Sequence, residues 1–230
     1  MKKLISGKVR EVYEVSDDQL VIVTTDRISA FDEILSKPVP NKGKILNAIS
    51  MFWFDYTKDI VLNHFISSNL NDMPDFFQKG EFEGRAILVK RIKILPFEFI
   101  VRGYMFGNMW ESYRKTHEFC GCKINGEYKL AERLSAPMFT PSTKVHVGHD
   151  EYVSIEAVED AIGKELTDRI KKISLELYDV CYNYAYSKGI IIADTKFEFG
   201  IDKDNNLVLA DEIFTPDSSR FWSLSDYKVG

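Results

Sequence analysis

The strongest chemical signal is the run Ile191-Ile192-Ala193-Asp194-Thr195-Lys196-Phe197-Glu198-Phe199-Gly200. In an extended chain alternate residues share a face. Asp194, Lys196 and Glu198 then lie on one face, with Thr195, Phe197 and Phe199 on the other. Charges on one side and aromatic rings on the other suit a wet cleft lined by a core sheet. The plainer reading is a solvated edge strand with a salt-bridged lysine, because alternating charge is common on strand surfaces. A second acidic pair, Asp211-Glu212, follows the apolar run Leu207-Val208-Leu209-Ala210. If the turn between the two runs holds four residues, 203–206, Glu198 lies directly opposite Asp211. Facing carboxylates repel unless a cation or a proton sits between them. Mg²⁺ carried on ATP phosphates is the natural cation, since it takes one or two carboxylates plus phosphate oxygens. A five-residue turn would break the pairing.

Basic groups recur near glycines. Gly7-Lys8-Val9-Arg10 could fold over phosphates, although it is neither a P-loop nor a G-x-G-x-x-G motif, and a polar edge strand would read the same way. Lys90 ends the apolar run Ile87-Leu88-Val89, where it could reach a nucleotide phosphate or snorkel to water. Arg102-Gly103-Tyr104 and Gly107-Asn108 combine close backbone approach with a guanidinium fork that matches phosphate or carboxylate. Ser218-Ser219-Arg220 repeats the theme with hydroxyls; either arginine alone would more often be a surface ion pair. His64, His117, His146 and His149 show no metal-ligand spacing, and no G-x-S-x-G occurs.

The elements that must hold these groups are readable in outline. Residues 8–15 and 20–25 alternate around Ser16-Asp17-Asp18, which predicts a hairpin. Ile45, Ile49, Trp53, Tyr56 and Ile60 predict a helix over 44–61. Residues 63–84 read as loops with a short strand, 85–91 and 98–104 as strands, and 108–115 as a short helix. Residues 116–150 carry prolines and glycines with weak periodicity, so they read as a long irregular stretch of the kind used as a lid. From Ser154 the apolar stripe Ile155, Val158, Ile162, Leu166, Ile170, Ile173, Leu177, Val180 and Tyr184 predicts helix, divided at Gly163 and ended at Gly189. A hairpin over 190–214 closes the pattern. The expectation is an α+β fold with a β-rich lobe at 1–92, an α/β lobe at 93–230 and a cleft between them.

Composition narrows the function classes. At 230 residues with 45% hydrophobic and 28% charged residues, the chain can bury a sizeable core. A net charge of -5 argues against non-specific nucleic-acid binding, which wants a positive surface. Cys120, Cys122 and Cys181 form neither a disulfide framework nor a zinc spacing. No apolar run reaches the roughly 20 residues of a membrane span, and none near Met1 resembles a signal peptide. The expectation is a cytoplasmic protein with no nucleic-acid or membrane partner.

Taken in order, the segments resemble the phosphoribosylaminoimidazole-succinocarboxamide synthase (SAICAR synthetase) family nearly end to end. Gly7-Lys8-Val9-Arg10 resembles its nucleotide loop. Thr25-Asp26-Arg27-Ile28-Ser29-Ala30-Phe31-Asp32 and Asn41-Lys42-Gly43 resemble its next blocks. Leu95-Pro96-Phe97-Glu98-Phe99-Ile100-Val101-Arg102-Gly103-Tyr104 and Asp194-Thr195-Lys196-Phe197-Glu198-Phe199-Gly200 resemble its two signatures. Phe139-Thr140-Pro141-Ser142-Thr143-Lys144, His149-Asp150-Glu151 and Asp217-Ser218-Ser219-Arg220-Phe221-Trp222 fit the remainder. The resemblance implies a two-lobed fold with ATP in the cleft. It implies an ATP-dependent ligase joining L-aspartate to carboxyaminoimidazole ribonucleotide, with ATP and Mg²⁺ required. By the same resemblance Lys8, Arg10 and Lys90 face ATP phosphates and Glu98 the adenine. Glu198 and Asp211 hold Mg²⁺. Arg102, Asn108, Ser219 and Arg220 bind the ribonucleotide phosphate, and Lys144 and Asp150 line the cleft. Lys196 contacts the reacting group and Asp32 lies near the imidazole. The family has Gly-Ser where this chain has Gly107-Asn108, so the Asn108 amide would replace a hydroxyl. It also continues into a final helix beyond Arg220-Phe221-Trp222. A homodimer stays open. The alternatives are a small-molecule kinase using the same Mg²⁺-ATP site and a non-catalytic nucleotide-binding module.

Overall fold

A computed structural model describes residues 1–30, 33–144 and 151–230. In chain order its elements begin with β1 (Lys2–Ser6), β2 (Arg10–Glu14), β3 (Gln19–Thr24), β4 (Ser29–Ala30), β5 (Glu33–Ile34) and helix α1 (Lys42–Tyr56). Next come β6 (Phe65–Ser67), three single-turn 3-10 helices, β7 (Ala86–Lys90), β8 (Lys93–Ile94), β9 (Phe97–Tyr104) and α2 (Asn108–Thr116). Four strands follow: β10 (Glu118–Phe119), β11 (Cys122–Lys123), β12 (Arg133–Phe139) and β13 (Ser142–Thr143). Helices α3 (Ile155–Ile162) and α4 (Lys164–Ser187) lead into β14 (Ile190–Ile201), β15 (Leu207–Ala210) and β16 (Ser219–Ser223). The chain divides into two compact units, Met1–Ile94 with Gly200–Thr215, and Leu95–Phe199 with Pro216–Gly230. A single boundary at 92/93 does not anticipate the return of Gly200–Thr215 to the first unit.

In the first unit an antiparallel sheet has the order β1-β2-β3-β7-β6. The predicted β2–β3 hairpin is present, pairing Glu14 with Leu20. Tyr13, Val21, Val23 and Leu88 on one face pack with Met73, Phe77 and Phe82 from the 3-10 segment. Helix α1 starts where Asp26 accepts from the amides of Asn41 at 3.1 Å and Gly43 at 2.9 Å, satisfying donors that a helix N-terminus leaves open. Arg85 grips the same carboxylate, and together they pull its pKa to about 2. Gly43 is required: a Cβ there would sit 2.4 Å from the Thr24 carbonyl oxygen. The helix stops short of the predicted end at 61, with Thr57 as its cap, whose amide and hydroxyl both bond the Trp53 carbonyl, the hydroxyl at 2.7 Å.

The turn after β14 differs from the four-residue expectation. The Asp202 amide donates to the Asn206 carbonyl at 3.1 Å, leaving three residues in the loop. The Asp202 carboxylate accepts from the amides of Asp204 at 3.0 Å and Asn206 at 2.8 Å. Asn205 takes the left-handed conformation such a loop needs, at φ 63°. The turn length on which a direct Glu198–Asp211 pairing depended is therefore not formed.

In the second unit β14 is central, with β9 along one edge and β16 along the other, and β12 outside β9. Phe197, Phe199, Phe99 and Val101 are fully buried, as the alternation predicts for one face. Helix α4 covers the sheet with Ile170, Ser174, Leu177, Tyr178, Cys181 and Ala185, while Val180, read as part of the apolar stripe, is exposed. Tyr178 rather than Val180 meets the sheet, its hydroxyl donating to the Ile192 carbonyl at 2.6 Å. The stretch read as irregular holds β10 to β13 within its described part. Strand β12 went unseen because a register shift between Arg133 and Met138 interrupts its alternation, and Pro137 falls inside that interruption.

Candidate active site

Strand β14 sets the site by register. Asp194 pairs with Arg102 on β9 and with Arg220 on β16, so three charges line up across three adjacent strands. Asp194 Oδ2 accepts from Nη1 of Arg102 at 2.9 Å and also from Nη1 of Arg220. One carboxylate cannot neutralise two guanidinium groups, so the row keeps a net positive charge. A shift in the β14–β16 register between Ile192 and Asp194 re-aims the strand at this point.

Arg102 is 2% exposed and held from several sides. Its Nε donates to Thr140 Oγ1 and its Nη2 to Tyr152 Oη, each at 3.1 Å. The rings of Phe119 and Tyr152 lie 5.3 and 5.4 Å from its guanidinium carbon. Arg220 is half exposed and rests over Phe106 at 5.6 Å. Gly107, at φ 61° and ψ −141°, occupies backbone space that only glycine enters readily. A Cβ there would stand 3.3 Å from Arg220 Nη1. Ile100, Arg102, Tyr152, Asp194, Lys196 and Arg220 line a cavity of about 260 Å³.

The other groups singled out by sequence fall as follows. Lys196 Nζ lies 3.0 Å from Glu98 Oε1 and 2.8 Å from Glu198 Oε1. Lys144 pairs with the second oxygen of Glu198, which is 4% exposed. Asn108 donates its amide to Tyr152 Oη at 3.2 Å. The Ser219 hydroxyl sits 2.8 Å from Thr195 Oγ1, its register mate, and both residues border the same cavity as Arg220. Gly103 accommodates helix α4 and not a ligand: a Cβ would fall 2.0 Å from Tyr178 Oη. Asp32 and Asp150 lie outside the described residues.

In the first unit Arg10 bonds Asp211 Oδ1 at 3.0 Å and also pairs with Glu212. Lys8 is exposed on a turn closed by the Gly7 amide and the Arg10 carbonyl at 2.8 Å. Arg27 clamps that turn through the carbonyls of Lys8 at 2.9 Å and Gly7 at 2.8 Å. Lys90 is exposed at the end of β7, where its charge helps hold the Asp202 carboxyl low, after the larger effect of the Asn206 amide. His64 is buried, and burial pushes its pKa down to about 4. Cys120, Cys122 and Cys181 are free thiols. Among the described residues no three His, Cys, Asp or Glu side chains form a metal-binding group, and no helix is long and apolar enough to cross a membrane.

The family model described as SAICAR synthetase matches residues 3–230. The chain belongs to the SAICAR synthetase family. A phosphoribosylaminoimidazole-succinocarboxamide synthase of Maridesulfovibrio salexigens is 52% identical over 233 residues, covering 100% of this chain and 78% of that protein. One of Lachnospira eligens is 52% identical over 235 residues, covering 99% and 79%. The solved SAICAR-synthase from Saccharomyces cerevisiae complexed with SAICAR superposes with a TM-score of 0.93 at 41% identity, over 100% of this chain and 78% of that one. The fold is α+β, and the chain is an ATP-dependent carbon–nitrogen ligase of purine biosynthesis.

Within the SAICAR synthetase frame, the residues given no role from sequence share one trait: they act on the expected ones. Asp194 aligns two arginines, Thr140 and Tyr152 fix Arg102, and Asp26 and Arg27 organise α1 and the Gly7-Lys8 turn. Asp194 was visible as the first charge of the alternating face. Tyr152 had no signal, because its contacts reach residues 44 and 50 positions away.

Proposed function

We propose that the Arg102–Asp194–Arg220 row holds the phosphate of carboxyaminoimidazole ribonucleotide, and that Lys196 meets the carboxylate that reacts. The observation carrying this reading is the shared carboxylate. It leaves two forked donors with one counter-ion at the wall of a cavity, which favours a phosphate dianion. The relative solved with SAICAR, the product of this reaction, supports it. Asn108 and Ser219 belong to the same subsite, Asn108 by way of Tyr152. Lys8, Arg10 and Lys90 are assigned to ATP phosphates, Glu98 to the adenine, and Lys144 to substrate binding beside Glu198.

A carboxylate resists amines because its oxygen leaves poorly. The γ-phosphoryl group of ATP passes to the carboxylate oxygen, releasing ADP. The amine of L-aspartate then attacks the carbonyl carbon, a C–N bond forms, the C–O bond to phosphate breaks, and the amine loses a proton. No protein nucleophile is needed, so positioning and charge neutralisation carry the rate. Lys196, held between Glu98 and Glu198, keeps an ammonium at the transferring group. Glu198 and Asp211 are the carboxylates assigned to Mg²⁺. Each is a hard oxygen donor of the kind Mg²⁺ takes beside nucleotide phosphates, where the ion would neutralise phosphate charge. Free thiols and small soluble substrates support a cytoplasmic location.

Arg220→Ala tests the phosphate assignment. A charge-assisted contact contributes roughly 1.5–3 kcal/mol, so KM for the ribonucleotide should rise about 10- to 100-fold while KM for ATP holds. An equal rise in both would overturn the assignment.

A further inference from the structure

We propose that Tyr152 binds the ribonucleotide phosphate directly, donating its hydroxyl hydrogen into the cavity between Arg102 and Arg220. The inference rests on the assignment of that cavity to the phosphate. A phenol oxygen carries one hydrogen and two lone pairs. Nη2 of Arg102 donates to Tyr152 Oη at 3.1 Å, and Nδ2 of Asn108 donates to it at 3.2 Å. Neither group can accept a hydrogen, because a guanidinium and an amide nitrogen hold only donors. Both lone pairs are thus occupied, and the hydrogen must find its acceptor elsewhere. Among the described residues Tyr152 Oη has no other hydrogen-bond partner. Tyr152 lines the cavity together with Arg102 and Arg220, which places its oxygen where a ligand's acceptor can complete it.

Two features make this an effective donor. A cationic donor and an amide pull density from the oxygen, which polarises the O–H bond and strengthens its donation to an anion. The ring is also held before any ligand arrives. Phe119 packs at 4.7 Å between centroids, the Arg102 guanidinium covers the ring at 5.4 Å, and the backbone bridges to Ser142. Asn108, whose amide was expected to touch the phosphate, is already engaged by Tyr152, so that contact passes through the phenol. A phosphate oxygen would then meet two guanidinium forks and one neutral donor, a set that accepts a dianion and offers nothing to a cation.

Tyr152→Phe removes only the oxygen. KM for carboxyaminoimidazole ribonucleotide should rise roughly 10- to 100-fold, with KM for ATP and L-aspartate unchanged. The same loss would follow if the phenol merely oriented Arg102, so a second variant decides by sign. Fluorotyrosine at position 152, at a pH that keeps the phenol protonated, donates more strongly and accepts more weakly. Direct donation predicts tighter ribonucleotide binding than in the native enzyme, whereas an orienting role predicts weaker binding and overturns the proposal. Arg220→Ala is measured alongside. If it leaves ribonucleotide binding intact, the cavity assignment itself falls. If it weakens binding while Tyr152→Phe does not, only the role of Tyr152 falls.

Discussion

Replacing Asp194 with Asn isolates the charge that organises the arginine row. The side chain keeps its shape and loses one negative charge. Arg102, 2% exposed, would retain Thr140 and Tyr152 but lose its counter-ion. Breaking a buried ion pair by removing one partner typically costs about 3–5 kcal/mol. Asp194 borders a cavity and also serves the half-exposed Arg220, so water recovers part of that cost. A loss of about 2–3 kcal/mol is expected in the ligand-free protein, or roughly 5–10 °C in Tm for a chain of this size. The ribonucleotide changes the outcome, because its phosphate supplies the missing negative charge. Thermal unfolding of native protein and Asp194→Asn, each with and without saturating ribonucleotide, should show the gap between them narrowing by more than half on binding. A gap that stays constant would show that no anion sits against these arginines. A variant as stable as native protein without ligand would refute the claim that Arg102 depends on Asp194.

Three further outcomes follow from the same geometry. Glu198→Gln, which leaves Lys144 and Lys196 without the buried carboxylate they share, should lower Tm and, in protein still folded at the assay temperature, cut turnover at limiting Mg²⁺ by roughly 100-fold or more; native rates would remove Glu198 from the metal site. Gly107→Ala should cost about 1–3 kcal/mol through its backbone conformation and displace Arg220, so urea unfolding and ribonucleotide KM should worsen together. His64 is held neutral by burial, with its pKa lowered from 6.5 to about 4. The unfolded chain therefore takes up a proton that the native state refuses, and stability should fall by about 3 kcal/mol as pH drops from about 6.5 to about 4, while remaining flat above. Denaturant titrations across that window check this, and His64→Gln should flatten the acid limb.

The parts of the fold legible in sequence were those with local periodicity. The β2–β3 hairpin, the break at Gly163 and the strand β14 lie close to where alternation and capping put them. The edge strand β1 and the C-terminal strand β16 escaped, because β1 is exposed throughout and β16 is mostly polar, so neither shows an apolar stripe. Site residues were legible where type and spacing coincided, as with Lys196 and Glu198. Their supports were not. Thr140, Tyr152 and Asp26 act across 38 to 59 residues of intervening chain, and only the pairing of β12 and β13 with β9, or of β3 with β7, brings such partners together. The hairpin turn shows how finely a site can depend on register. One residue fewer in the loop, set by the Asp202 carboxylate and the left-handed Asn205, is enough to undo a pairing argued from sequence alone.

Turnover with ATP, L-aspartate and carboxyaminoimidazole ribonucleotide, omitting each in turn, tests the ligase chemistry most directly. With all three present, ADP, phosphate and the succinocarboxamide should form in equal amounts, and leaving out any one should stop the succinocarboxamide entirely. A stable phosphorylated ribonucleotide accumulating at an unchanged rate without aspartate would contradict ligation and make the chain a kinase.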